Sequence, residues 1–306
     1  MQRKINTENI GIRLDKYLTE KFPQYSRAFL KSQISAGNVL VNGQVKKPSY
    51  ILKETDEIKI NVVAPEEHKL QANPDIKLKI IYEDENIIAI DKPAGISVHP
   101  VNATQNDTIA NAILAYYPAI KDVGDEPDLR PGIVHRLDKE TSGILVIAKN
   151  KETFNWLKKQ FAERKTIKKY TALALGKFKE KQGIISKPIS KAKGTIKRTT
   201  APLSAVKNAV TRYRVIQEFK DYSLVEAEPK TGRTHQIRVH FASLGHPLAE
   251  DKLYGFKNQI AIPSLERHFL HASYLKFSLL DGKMIELKSE LPKDLAFVLN
   301  NLKENK

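Results

Sequence analysis

Three short segments gather residue types that can do chemistry, each where an apolar or strand-like run gives way to a loop. They are Asp91-Lys92-Pro93-Ala94-Gly95-Ile96-Ser97-Val98-His99-Pro100, His135-Arg136-Leu137-Asp138-Lys139-Glu140-Thr141-Ser142-Gly143 and Thr231-Gly232-Arg233-Thr234-His235-Gln236-Ile237-Arg238-Val239-His240. Loops carried on a rigid scaffold are where binding and catalytic groups tend to be built. Taken singly, each segment also reads as a turn whose polar groups satisfy one another. Asp138 stands in the densest of the three turns. An Asp can act as nucleophile or general base, and a nearby Arg would hold it ionised and positioned. That pairing suits covalent chemistry on a nucleotide.

Eight histidines invite a metal reading, which the spacing disfavours. There is no His-Glu-x-x-His, and the nearest pairs are His235 with His240 and His268 with His271. A separation of five residues places two side chains about 140° apart on a helix, a poor arrangement for one ion. Cysteine is absent, which excludes a disulfide framework, a thiolate zinc site and a cysteine nucleophile. No glycine-rich phosphate loop followed by Lys-Ser/Thr is present. We expect neither metal nor cofactor.

The partner is written in the charge. The 306 residues carry 51 Lys+Arg against 35 Asp+Glu, a net +16. Residues 1–65 contribute +5, 66–150 −5, 151–220 +15 and 221–306 +1. The excess is thus a local patch, and it points to a polyanion. A solvated lysine-rich surface is the plainer alternative. No stretch approaches the roughly 18–20 apolar residues of a membrane span, and no apolar run follows the charges of the N-terminus. The expectation is an unexported, cytoplasmic protein without a membrane or an obligatory protein partner.

The elements that must position these residues can be sketched from periodicity. Leu14, Tyr17, Leu18 and Phe22 recur at helical spacing before Pro23, and Ser26 can cap a second helix through Ile34 that Gly37 ends. Val39 to Val41 running into Asn42-Gly43 signals a hairpin, and Glu57 to Val62 reads as a strand. Together these predict a small domain over 1–64, a polar linker over 65–75 and a larger domain over 76–306. In the larger domain, Leu78–Tyr82, Asn86–Ile90, Ile144–Ala148, Tyr170–Leu175, Tyr213–Phe219 and Ser223–Ala227 have strand composition. Thr108–Tyr117, Glu152–Ala162, His235–Leu244 and Leu295–Leu302 have helical periodicity. Irregular alternation and short connections favour an α+β class with a mixed, largely antiparallel sheet.

The segment His135 to Gly143 resembles the signature of the RluA-type pseudouridine synthases. Asp91 to Gly95 with His99-Pro100 resembles that family's first motif, and Lys169-Tyr170-Thr171-Ala172-Leu173 its tyrosine strand. Thr231 to His240, then Gly245-His246-Pro247, Asp251 and Leu253-Tyr254-Gly255, resemble its third motif. Arg13 to Leu18, Ser26-Arg27, Gly37 to Val39 and Val41 to Gly43 resemble the small RNA-binding domain first known from ribosomal protein S-four. Glu250 and Thr55 stand where Gly is usual in these families, and Gly at a turn often marks positive φ.

The resemblance implies isomerisation of uridine to pseudouridine in RNA, and the domain pairing implies the large-subunit (23S) ribosomal branch. A non-catalytic RNA-binding assembly factor is the alternative. The family likeness assigns Asp138 as nucleophile, Tyr170 as the ring packed on the uracil, Arg233 as the partner of Asp138 and Arg136 as the side chain that fills the space of the flipped base. His135 beside it, and Arg13, Lys16 and Arg27 in the small domain, are implied RNA contacts. Lys191, Lys193, Lys197 and Arg198 lie in a segment without clear strand or helix pattern, expected to be a mobile loop that closes on the RNA backbone.

Overall fold

In the N-terminal part, apolar periodicity produces the helices α1 (Leu14–Lys21) and α2 (Arg27–Ser35), with Leu14, Leu18, Leu30 and Ile34 fully buried. The Ser26 hydroxyl accepts the Phe29 N–H at 3.2 Å and so caps α2. Strands β1 (Gln2–Lys4), β2 (Val39–Val41), β3 (Gln44–Val45) and β4 (Glu57–Ile60) form an antiparallel sheet in the order β1-β4-β2-β3. Asn42 and Gly43, both at positive φ (52° and 74°), make the two-residue turn that joins β2 to β3. Beneath this surface Asp15 is fully buried, with Arg13 and Arg27 each at 2.9 Å and Lys31 at 3.5 Å. Hydrogen bonds from Arg13, then Arg27, outweigh burial and hold its carboxyl far below the usual range.

The computed structural model describes residues 2–4, 11–61, 69–100, 105–192, 195, 197–201, 206–258 and 261–304. The chain divides into two compact units, Met1–His68 and Lys69–Lys306. Residues 65–68 of the expected linker lie outside the described residues. Its remainder belongs to the second unit, where the Leu70 N–H donates to Asp128 O at 3.1 Å and the Asn73 N–H to Asn111 O at 3.0 Å.

The second unit is built from β5 (Ile80–Glu83), β6 (Ile87–Lys92), α3 (Ile109–Tyr116), β7 (Ser142–Ala148), α4 (Lys151–Ala162), β8 (Ile167–Leu175), β9 (Gln182–Ser186), β10 (Ser190–Lys191), β11 (Arg198–Thr199), β12 (Val210–Glu218), β13 (Tyr222–Pro229), α5 (Gln236–Ala242), β14 (Leu270–Ser278), β15 (Met284–Lys288) and α6 (Lys293–Glu304). Nine strands form one sheet in the order β5-β6-β7-β14-β8-β13-β12-β9, with β15 also on β14. Every pairing in it is antiparallel except β7 with β14. The class is α+β with a mixed, largely antiparallel sheet. No helix among the described residues is long and apolar enough to cross a membrane.

Three differences from the sequence expectation matter. Composition does not mark β14, although it is the sheet's hub and pairs with β7, β8 and β15. Nor does it mark the edge strand β9 or the strand β15. The basic segment expected to lack structure has a ladder at its base, Ser190 with Thr199 and Lys191 with Arg198.

The core explains why β7 sits centrally. All seven of its residues are buried, as expected for a continuous apolar run covered on both faces. Ile144 to Ala148 pack with Ile87 to Ile90 of β6, Ile109 and Ile113 of α3, and Phe154 and Leu157 of α4. At its entry β7 meets β14 over only two residues, Ser142 with His271 and Gly143 with Ala272. Gly143 adopts φ +115°, and a Cβ there would lie 2.3 Å from Ala272 O and 2.7 Å from Ala272 N. Both conformation and space therefore demand glycine. We expect Gly143→Ala to destabilise the second unit by about 3 kcal/mol or more, measured by urea unfolding, whereas Gly282→Ala, with open space at its Cβ, should cost less despite its φ of +84°.

Candidate active site

Asp138 lies in the turn that leads into β7, and the Thr141 N–H closes that turn on Asp138 O at 3.0 Å. Two sets of contacts fix the turn. On one side Lys92, fully buried at the end of β6, donates to the carbonyls of Pro93 (2.7 Å), Ile96 (2.9 Å) and Lys139 (3.1 Å). The Gly95 N–H also reaches Lys139 O at 3.0 Å, so the first sequence segment is a bracket for the second. On the other side Arg267 donates to Glu140 O at 3.0 Å and to Ser142 Oγ at 3.3 Å, and is anchored by Asp294 of α6 at 2.7 Å. Thr141 Oγ1 and His268 Nε2 are 2.9 Å apart.

The carboxylate itself faces α5. Arg238 donates to Asp138 Oδ2 at 3.2 Å and makes two bonds to Asp251, at 2.7 and 2.8 Å. Burial opposes ionisation of Asp251, but the hydrogen bonds and charge of Arg238 more than offset it and lower its pKa. His235 Nε2 lies 4.0 Å from the same Asp138 oxygen. Asp138 Oδ1 has no partner among the described residues. Tyr170 comes from β8, where it pairs with Ala272 of β14 on one side and Ala227 of β13 on the other. Its hydroxyl makes no hydrogen bond among the described residues, and burial, with Asp138 nearby, raises its pKa. Asp138, Tyr170, His235 and Arg238 line one cavity of about 480 Å³, together with Arg136, Arg164, Lys168 and Arg233.

The arrangement corrects one expected pairing. Arg233 lines the cavity, but its Nε donates to Asn208 O at 3.2 Å, and the ion pair with Asp138 belongs to Arg238. The reason is helical geometry: Arg233 precedes α5, whereas Arg238 is its third residue and its side chain points back toward the helix start. His135 also lines the cavity. Its ring stacks on Phe161 at 4.6 Å and its Nε2 accepts the Val146 N–H at 3.0 Å, while burial pushes its pKa down to about 3. It is a neutral packing group and offers RNA no charge. Arg136 is exposed at the cavity, Lys197 is exposed, and Arg198 is half-buried with Nε unpartnered. Lys193 lies outside the described residues. In the N-terminal unit Arg13 and Arg27 are half-exposed around Asp15, and Lys16 faces Glu20 at 3.9 Å.

Several contributors carried no assignment from sequence: Arg238 and His235 inside the third segment, Asp251, Tyr254, Lys92, Arg267 and Lys168. Lys168 is two residues before Tyr170 on one face of β8, and burial, then Lys230, lowers its pKa to about 8. The i, i+2 spacing was the available signal. Glu250 adopts φ 54°, the left-handed conformation for which glycine is usual there, and its carboxylate accepts the Ile262 N–H at 2.7 Å. Thr55 is not among the residues at positive φ.

A carboxylate beside a buried arginine, and a tyrosine without a hydrogen-bond partner among the described residues, thus stand in one cavity lined by further cations, an arrangement that can receive an anionic substrate. Residues 86–243 match the family model described as RNA pseudouridylate synthase, and residues 12–58 match the S4 domain. An uncharacterized RNA pseudouridine synthase of Aquifex aeolicus is 43% identical over 80% of this chain and 78% of its own length. The ribosomal large subunit pseudouridine synthase D of Haemophilus influenzae is 36% identical over 99% of this chain and 95% of its own. Among solved structures, human RNA pseudouridylate synthase domain containing 4 is 25% identical, with a TM-score of 0.59, over 74% of this chain and 93% of that one. The chain belongs to the RNA pseudouridine synthases, isomerases acting on uridines in RNA, and carries an N-terminal S4 domain.

Two outcomes follow from this geometry. Arg238→Lys keeps one charge but loses the fork that spans both carboxylates; we expect turnover to fall about a hundredfold, about 2.7 kcal/mol, while Arg233→Lys changes it less than about tenfold. Burial pushes His268 down to about 4, against about 6.5 in the unfolded chain. The unfolded state then binds the proton first, so this contribution to stability is complete above pH about 6.5 and is lost as pH falls toward 4. Urea midpoints measured between pH 7 and 5 should fall, and less steeply in His268→Gln.

Proposed function

We propose that this enzyme isomerises specific uridines of large-subunit (23S) ribosomal RNA, with Asp138 as the nucleophile. The observation that carries the reading is the asymmetry of that carboxylate. Oδ2 is held by Arg238 at 3.2 Å, while Oδ1 has no partner among the described residues and is left for the substrate. A carboxylate so held can bond to C1′ of a uridine as the N1–C1′ bond breaks and the uracil leaves as its anion; the uracil turns, C5 bonds to C1′ as the Asp138–C1′ bond breaks, and C5 loses its proton while N1 takes one up. Tyr170 lies across the same cavity, where its ring packs on the uracil. Its raised pKa keeps the hydroxyl protonated, available as a hydrogen-bond donor and then as a relay for the departing proton.

A uridine stacked in folded RNA must be flipped to reach this cavity, at a cost of a few kcal/mol. Arg136, exposed at the rim two residues before Asp138, is placed to occupy the vacated stack. Lys191, Lys193, Lys197 and Arg198 add salt-dependent contacts to the backbone, and Arg13, Lys16 and Arg27 of the S4 domain add a second anchoring surface. The large-subunit assignment rests on likeness to the Haemophilus influenzae enzyme over nearly its whole length. Such a substrate places the enzyme in the cytoplasm, with the ribosome as its working partner.

The test is tritium release from 5-tritiated uridine in 23S ribosomal RNA. Asp138→Asn should reduce it by more than about a thousandfold with RNA binding retained. Release that survives the substitution excludes Asp138 as the nucleophile, and release from small-subunit RNA alone excludes the substrate.

A further inference from the structure

Tyr254 joins two parts of the site that the sequence keeps far apart. Its hydroxyl accepts the backbone N–H of Arg198, at the foot of the β10–β11 ladder, at 2.8 Å. The same oxygen lies 2.8 Å from His235 Nδ1. A phenol carries one proton, and among the described residues it has no other acceptor than His235. Given to Nδ1, that proton would make it the bare nitrogen of a neutral imidazole. The ring proton is then on Nε2, the atom 4.0 Å from Asp138 Oδ2.

Other features fix this geometry. His235 adopts φ 57°, a left-handed conformation that is costly for a residue with a Cβ and that clusters at functional sites. Asp251 Oδ1 accepts the N–H groups of Leu253 at 3.0 Å and Tyr254 at 3.1 Å, and the Arg238 guanidinium lies over the Tyr254 ring at 5.1 Å. The phenol thus stands on the same Arg238–Asp251 pair that holds the catalytic carboxylate. Arg198, at the other end, has a buried Nε without a hydrogen-bond partner.

We propose that Tyr254 and His235 are positioning residues. Tyr254 fixes His235 as the Nε2–H tautomer directed at Asp138 Oδ2, and it does so while the foot of the basic hairpin is seated on its hydroxyl. RNA that settles the hairpin thereby sets the orientation of Asp138, leaving Oδ1 for the sugar. This rests on the reading of Asp138 as nucleophile.

The test uses Tyr254→Phe in the full chain, which removes the hydroxyl and keeps the ring over Arg238. The first readout is the tautomer, by long-range ¹H–¹⁵N correlation of labelled histidines without RNA, with His235→Asn assigning the signal because Asn tolerates positive φ. The native His235 should be Nε2–H, and Tyr254→Phe should shift it toward Nδ1–H. The second readout is the single-turnover rate with enzyme in excess over 23S RNA, expected to fall about tenfold while the RNA Kd stays within about threefold. If Tyr254→Phe does not fold, His235→Gln, which keeps a donor toward Asp138, should retain clearly more of the rate than His235→Leu. An Nδ1–H tautomer in the native protein, an unchanged tautomer in Tyr254→Phe, a rate loss explained by Kd alone, or equal rates for His235→Gln and His235→Leu each overturn the proposal. The tautomer result needs no RNA, so it stands apart from whether Asp138 is the nucleophile.

Discussion

One guanidinium shared by two carboxylates organises this catalytic unit. Arg238 is 9% exposed in its side chain and Asp251 not at all, so neither charge is tolerable alone at that depth. Their two-bond pairing satisfies both, and it leaves one face of the guanidinium for Asp138. The order of dependence follows from burial. Asp251 fixes Arg238, Arg238 fixes Asp138, and the backbone amides of Leu253 and Tyr254 fix Asp251 in turn. A carboxylate held by a partner that is itself held needs little rearrangement when substrate arrives, which is the condition for preorganised chemistry.

The turn bearing Asp138 completes the constraint from the backbone side. Lys92 grips it through Lys139 O, and Arg267 through Glu140 O, so two buried side chains spend hydrogen bonds on carbonyls of adjacent residues. Because a buried carbonyl without a partner is costly, these lysine and arginine side chains replace what a longer ladder would supply. The ladder is short here: β7 and β14 pair over two residues, and the close approach at Gly143 leaves no room for a Cβ. The junction where the sheet changes from antiparallel to parallel is therefore its weakest stretch of backbone pairing, and it is where side chains converge on the site.

What the sequence disclosed and what it withheld divide along the same line. Local features were legible: the Ser26 cap, the Asn42-Gly43 turn, the all-apolar run of β7 and the segment containing Asp138 each depend on neighbours in the chain. β14 was not legible, because Leu270 to Ser278 mixes histidine, serine and lysine among its apolar residues and becomes a strand through three distant partners. The choice between Arg233 and Arg238 failed for a similar reason. Both lie in one segment, and only the position of the first turn of α5, set by the left-handed residue His235, decides which guanidinium turns toward Asp138.

Charge distribution acquires a sharper meaning in this frame. The strongly basic stretch 151–220 contains α4, β8 and the β10–β11 ladder; α4 supplies Lys158 to the cavity, the turn between α4 and β8 supplies Arg164, and β8 supplies Lys168. Inside the cavity, by contrast, the cation that touches Asp138 comes from the nearly neutral stretch 221–306 and is neutralised by Asp251. Two electrostatic tasks are thus assigned to different parts of the chain. The cations lining the cavity attract a polyanion over a range set by salt. A paired cation within positions one carboxylate at a distance that salt scarcely screens, so the chemistry is insulated from the long-range field that delivers the RNA.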